Sequence, residues 1–318
     1  MLREEWEPEA RLARDPGRLN PEGVPARSAM RGLATVMLHR KGVTLVIDLG
    51  ILGCGAIGGA VAQYAVDRME SVRLQAVVDR SESDHVRSLC RRVEGLRYYD
   101  DAGALAGVPL DVILEATDPS VVRKHAASLV ASGKDLIVMS VGGLVDREVF
   151  RRVREAAAAS NQKVIVPCGA IAGISAIQAA GTAGEIRDVL LRTTKAPRGL
   201  QGAPYVSDRG LDLEGFSERE LVFSGNVLQA VRGFPQNLNV SAAVALAGVG
   251  PEKTRVEIYA DPGSKFTTHE LHVRGDFGTM CISLENHPSP DNPRSSRLAA
   301  LSAISALQKY TEPVLMGY

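Results

Sequence analysis

From Val43 onward, short and fully apolar runs alternate with longer segments whose apolar residues recur at helical spacing. VTLVIDLGILG, LQAVVD, DVILEAT, DLIVMS and KVIVP read as strands. Strands that are apolar at nearly every position, rather than at every second one, suit a parallel sheet covered by helices on both faces. The intervening segments carry helix punctuation. Asp118 and Pro119 supply an N-cap and an N1 proline before SVVRKHAASLVAS, which Gly133 ends, and Asp146 caps REVFRRVREAAAAS. This is βαβ alternation up to about Pro167.

Beyond Pro167 the pattern changes. VLLRTTKAP, RVEIYA, HELHV and TMCISLE read as partly alternating strands joined by turn residues such as DPG and RGDFG. Two helices are predicted among them: SERELVFSGNVLQAV, opened by the capping box Ser217-x-x-Glu220, and LNVSAAVALAG. The final stretch, SSRLAALSAISALQKY, is apolar at helical spacing and is expected to return to the first domain. The predicted fold class is therefore α/β, a Rossmann-type doubly wound parallel sheet with a second α+β domain. Residues 1–42, rich in Arg, Glu and Pro, read as a loose N-terminal extension. Residues 43–168 with 292–318 are expected to form the first domain and 169–291 the second.

Composition narrows the function classes. The 318 residues are 45% hydrophobic, and 37 Lys+Arg balance 37 Asp+Glu. No overall field draws nucleic acid or an acidic membrane surface, so neither is expected as a partner. Four scattered cysteines (Cys54, Cys90, Cys168, Cys281) form no C-x-x-C pair and suggest a reduced, cytoplasmic protein without a metal site. The opening MLREEWEPEA is acidic where a secretory signal is basic, and no run approaches the ~18 apolar residues of a membrane span.

Gly53-Cys54-Gly55-Ala56-Ile57-Gly58 is a G-x-G-x-x-G. The pattern alone is weak, but here it follows an apolar strand and opens a helix. In that setting the glycines permit a tight turn, close approach of backbone to a pyrophosphate, and close packing of helix on strand. Asp79 ends the second strand 21 residues after Gly58, where a carboxylate binds the ribose hydroxyls of NAD. Arg80 follows and could pair with the extra phosphate of NADP, so the cofactor is expected to be NAD or NADP. Gly53, Gly55, Ala56, Ile57, Gly58, Asp79 and Arg80 are the candidate cofactor residues, with Ser140 in the turn after DLIVMS joining them at a strand's carboxyl end. Cys54 reads as a small turn residue.

Hydride transfer needs a group that takes up and returns a proton, and histidine is the usual supplier. His39, His85, His125 and His287 fall before the first strand, in helices or in a Pro-rich connection, while His269 and His272 share a strand but face opposite sides. Position alone leaves His269 one candidate among two or three.

Taken together, ILGCGAIG, VPCGAIAGISAI, FPQNLNVSAAVALAG, TRVEIYADPG, HEL and NPRSSRLAALSAISAL resemble the L-aspartate dehydrogenase family, over roughly residues 44 to 310. The resemblance implies NAD(P)-dependent oxidation of L-aspartate to iminoaspartate, and on to oxaloacetate plus ammonia, or the reverse reductive amination. It also implies self-association, with a homodimer expected, and leaves room for a quinolinate-making partner enzyme that takes the imine. By the same resemblance His269 is the catalytic histidine, Asn239 contacts the nicotinamide end and Ala170 touches the cofactor. Catalysis by His269 further requires a pKa near the working pH. Aspartate's two carboxylates call for cations or backbone N–H groups, and Lys195, Arg198 and Arg294 are the candidates. The chain departs from the family in its extension, in Thr267 where Asn is expected, and in TTKAPRG where the turn is shorter. A neighbouring amino or hydroxy acid is the alternative substrate, and a non-catalytic NAD-sensing module the alternative class. The His-His-x-x-Lys signature of the dihydrodipicolinate reductase type is missing.

Overall fold

Fully buried apolar strands arrange the first half of the chain. The computed structural model describes residues 46–235, 238–289, 292–312 and 314–317, without the side chains of 292–294. The expected extension at 1–42 and His39 lie outside the described residues. β1 (Ile47–Leu52), β2 (Val72–Val78), β3 (Arg97–Tyr99), β4 (Val112–Glu115), β5 (Asp135–Val138) and β6 (Val164–Ile165) form a six-stranded sheet. Its order is β3-β2-β1-β4-β5-β6, and every pair is parallel. β4 and β5 are buried at all positions, the condition set by helices on both faces.

The order reverses between β1 and β4, which opens a crevice at the strands' carboxyl ends. The helix punctuation read from sequence appears as hydrogen bonds. Asp118 accepts from Ser120 N ahead of helix Pro119–Ala131. Asp146 accepts from Glu148 N and Val149 N ahead of helix Arg147–Ser160. The C-terminal helix Arg297–Thr311 does return: Ala303 and Leu307 are fully buried against Val61 and Ala62 of helix Ala56–Arg68.

The second sheet contains β7 (Ile186–Lys195), β8 (Glu220–Asn226), β9 (Arg255–Ala260), β10 (Thr267–Gly275) and β11 (Gly278–Asn286), in the order β11-β10-β7-β9-β8. It is mixed: only β7 and β9 run parallel. Helices Ile174–Thr182 and Asn239–Ala247 cover one face, burying Ile177 and Val244 against Val189, Leu191, Leu271 and Val273. A short ribbon of β12 (Pro288–Ser289) and β13 (Asn292–Ser296) leads into the C-terminal helix.

One predicted element is different. The segment after Ser217 is not a single helix: Glu220–Asn226 is the edge strand β8, followed by the short helix Val227–Gly233. Val222 and Phe223 bury against the sheet core, and pairing with β9 overrides the local capping signal. The capping box lies nine residues later, between Asn226 and Gln229.

Candidate active site

Each glycine of the loop after β1 has a distinct physical reason. Gly53 has φ +89°, and a Cβ there would lie 2.7 Å from Ala116 O, so the turn excludes L side chains. A Cβ at Gly58 would lie 1.8 Å from Gly53 O, because helix and strand cross there. Gly55 is the contrast: no atom lies within 4 Å of its Cβ position. It opens helix Ala56–Arg68, which has no side-chain cap, and so offers a cradle with helix N–H groups aimed outward.

Asp79 borders this cradle. Its Oδ2 accepts from Cys54 N at 2.8 Å and its Oδ1 from Arg80 N at 2.7 Å, while the Arg80 side chain is exposed. Burial, with the Asp79 charge and Cys90 adding, pushes the Cys54 thiol up to about 12. It stays protonated, as befits a packing residue.

Past the glycine loop, between the two sheets, lies a cavity of about 110 Å³. Ile57 comes from the glycine-loop helix, Ala170 from the loop after β6, Asn239 from helix Asn239–Ala247, Lys195 from the end of β7, and Thr267 and His269 from β10. The chain thus brings together at one point residues more than 200 positions apart. Asn239 is not the cap of its helix, since Leu238 holds that position. Its Oδ1 instead accepts from Gly142 N at 3.1 Å, in the turn after β5. Because a backbone N–H is a donor, the amide orientation is settled, and the Nδ2 hydrogens are what Asn239 has to offer elsewhere.

His269 is 3% exposed and its Nδ1 lies 3.0 Å from Oγ1 of Thr193, its cross-strand partner on β7. Burial, and secondarily the Lys195 charge, pushes its pKa down to about 3. Its pKa is therefore not near the working pH in the protein by itself, because no bulk water solvates the imidazolium and a cation stands beside it. Lys195, 7% exposed, is itself pushed down to about 8 by burial. An incoming dianion would raise both values, since negative charge favours the protonated forms.

Arg198 and Ser140 do not line this cavity. Arg198 is exposed in the turn Pro197–Gly199, past the end of β7 at Lys195. Arg294 was expected at a helix start but lies in β13, and its side chain is outside the described set; Ser295 and Ser296, next to it, do line the cavity. Ser140 is buried behind the cavity and uses its N–H to reach Glu115. His85 and His125 are on helices, His272 faces Cys281 on the outer side of β10, and His287 packs edge-on against Phe266.

Sequence reasoning passed over three residues that shape this place. Glu115 is a lone acid ending the apolar run VILE, a signal that was there to see. Thr193 is visible only through the β7–β10 register. Asn286, 4% exposed, donates to Ala170 O at 3.1 Å and accepts from Ser296 Oγ, holding the Ala170 loop. Among the described residues, no group of three or more His, Cys, Asp or Glu could hold a metal, and no helix is long and apolar enough to cross a membrane.

Comparison with known proteins covers most of the chain. Residues 176–310 match the family model "Aspartate dehydrogenase, C-terminal", and 53–167 match "Homoserine dehydrogenase, NAD binding domain". The chain is 40% identical over 275 residues to the L-aspartate dehydrogenase of Methanosarcina barkeri, covering 86% of this chain and 100% of that one. It is 36% identical over 273 residues to that of Methanocaldococcus jannaschii, with the same coverage. The solved structure of aspartate dehydrogenase from Thermotoga maritima superposes with a TM-score of 0.66 at 23% identity, covering 85% of this chain and 99% of that one, a likeness of fold.

Proposed function

The chain belongs to the L-aspartate dehydrogenase family, and from that premise we propose that it converts L-aspartate, with NAD or NADP, to iminoaspartate and then to oxaloacetate and ammonia, or runs the reverse reductive amination. The observation that carries the reading is the meeting of His269, Lys195 and Asn239 in one buried cavity beside the glycine loop. The cradle at Gly55 and the adjoining Asp79 fit a dinucleotide, with Asn239 and the Ala170 loop toward its nicotinamide end. When bound, that group would supply the acceptor for the hydride of the substrate Cα.

The chain's own residues do the rest. Lys195 holds a substrate carboxylate, and a charge partner relieves the desolvation of both ions. With Nδ1–H donating to Thr193 Oγ1, His269 turns the lone pair of Nε2 to the cavity. A neutral imidazole there accepts a proton from the substrate ammonium, freeing the nitrogen lone pair that forms the iminium as hydride leaves. The imidazolium releases that proton to solvent, and the neutral nitrogen then deprotonates the water that attacks iminoaspartate and returns this second proton to the departing ammonia. Burial excludes other water from the imine.

A homodimer built on the second domain's sheet belongs to this reading through the family resemblance; on the outer face of that sheet the charge pairs Arg192–Glu257 and Arg255–Asp188 are already satisfied within the chain. A cytoplasmic location fits the four free cysteines. Hand-off of iminoaspartate to a quinolinate-making enzyme is the partner proposed.

The test is His269→Ala. General acid–base catalysis is worth about 10² to 10⁴ in kcat, so turnover should fall by that factor in both directions while NADH affinity, read by fluorescence, stays. Near-normal turnover would remove His269 from the mechanism.

A further inference from the structure

Glu115 has no part in the chemistry above, yet it is an acid 1% exposed at the carboxyl end of β4. It pairs in register with Leu52 of β1 and Val138 of β5, so it sits where the strand order reverses and the cofactor crevice begins. Its Oε1 accepts from Thr117 N and Thr117 Oγ1, both at 2.7 Å, and its Oε2 accepts from Ser140 N at 3.0 Å. Among the described residues no cation pairs with it. A packed apolar residue would end the strand at less cost in desolvation. The carboxylate therefore has a task that needs two oxygens: joining the turn after β4 to the turn after β5.

The second of these turns reaches the site directly. Ser140 begins the tight helical turn Val141–Leu144, and Gly142 N, two residues on, donates to Asn239 Oδ1. A Cβ at Gly143 would lie 2.6 Å from Val122 Cβ and 2.7 Å from Pro119 O, so the turn is wedged against the first turn of helix Pro119–Ala131 and cannot slide freely. The chain of contacts runs from Glu115 through Ser140 and Gly142 to the Asn239 amide, linking the dinucleotide domain to a helix of the second domain.

We propose that Glu115 is a positioning residue for the nicotinamide end of the cofactor. By holding Ser140 N–H it sets the turn whose Gly142 N–H orients Asn239, so that the Asn239 amide nitrogen faces the cofactor. The inference rests on the assignment of a dinucleotide to this crevice, but not on aspartate being the substrate.

The test compares two probes. NADH occupies the whole crevice, whereas ADP-ribose lacks the nicotinamide and reports only the glycine loop and the Asp79 end. Glu115→Gln keeps shape but can satisfy only part of the three-donor set, since its amide group is itself a donor. Ser140→Pro removes the N–H that Glu115 Oε2 holds and leaves the Thr117 donors in place, at a residue whose φ of −87° is near proline's, and it serves if the glutamine variant does not fold. Expected for either variant is an approximately tenfold loss of NADH affinity, with ADP-ribose affinity kept to within about twofold. Asn239→Ala should show the same selective loss, and Glu115→Gln combined with Asn239→Ala should be no worse than the weaker-binding single variant, because both act through one amide. Equal loss of both probes, no loss of NADH, or fully additive losses in the double variant would overturn the proposal and leave Glu115 a purely structural acid. Should the protein bind NADH in this pattern yet fail to turn over L-aspartate, the functional reading falls and this inference stands.

Discussion

Lys195→Met removes the buried cation of the cavity that the proposed substrate would need. Burial holds the Lys195 pKa at about 8 against 10.5 for a free lysine, and at about 1.4 kcal/mol per unit the charged form costs the folded protein roughly 3 kcal/mol at neutral pH. Between pH 8 and 10.5 the unfolded chain still binds this proton and the folded protein does not. Stability from this group therefore rises with pH through that window, and below it the full cost stands. Methionine keeps the length and apolar stem without the charge. The variant should melt several degrees above the parent at neutral pH, at about 2 to 4 °C per kcal/mol for a chain of this size. The gap should narrow as pH climbs toward 10.5. It should also lose about 2 to 5 kcal/mol of L-aspartate affinity, the usual cost of truncating one member of a buried charge pair. Thermal melts of both proteins across that pH range, with and without L-aspartate, measure all three effects. A variant less stable than the parent at neutral pH, or a gap indifferent to pH, would refute the reasoning.

The glycine loop separates folding from binding. Gly55→Val should fold with an unchanged melting temperature and lose NADH binding, because its side chain points into open space, whereas Gly58→Ala should lower stability by about 1 to 3 kcal/mol, its Cβ being forced against Gly53 O. Equal effects on melting would undo the distinction. Asp79→Ala removes the carboxylate that repels a 2′-phosphate and leaves Arg80 beside it, so the NADP-to-NAD ratio of affinities should rise; a constant ratio argues against that role. Light scattering at micromolar concentration should give the mass of a dimer, and a monomer mass would contradict the proposed sheet interface.

The βαβ order was legible because strands buried on both faces must be apolar throughout, and DVILEAT and DLIVMS carry little else. Asp118, Pro119 and Asp146 marked helix starts because capping is a local matter, decided within three or four residues. β8 was not legible for the opposite reason. Ser217-x-x-Glu220 is an acceptable capping box by itself, and only the edge of β9, some 35 residues later, makes Glu220–Asn226 a strand. The site divides in the same way. The glycine loop declares itself by spacing, whereas the contact of His269 with Thr193 depends on strand register across 76 positions, and its depressed pKa depends on burial between the two domains first and on Lys195 beside it second. Arg198 looked equivalent to Lys195 in TTKAPRG, but β7 ends at Lys195, and Arg198 falls in the turn beyond it, exposed to solvent.

Formation of NADH or NADPH, followed by absorbance, over a panel of amino and 2-hydroxy acids bears most directly on what this chain does. The account predicts that L-aspartate alone among them supports substantial turnover, that oxaloacetate with ammonia consumes the reduced cofactor, and that His269→Ala abolishes both. Strong turnover of a different acid with none of L-aspartate, or cofactor binding with no turnover of any, would contradict it.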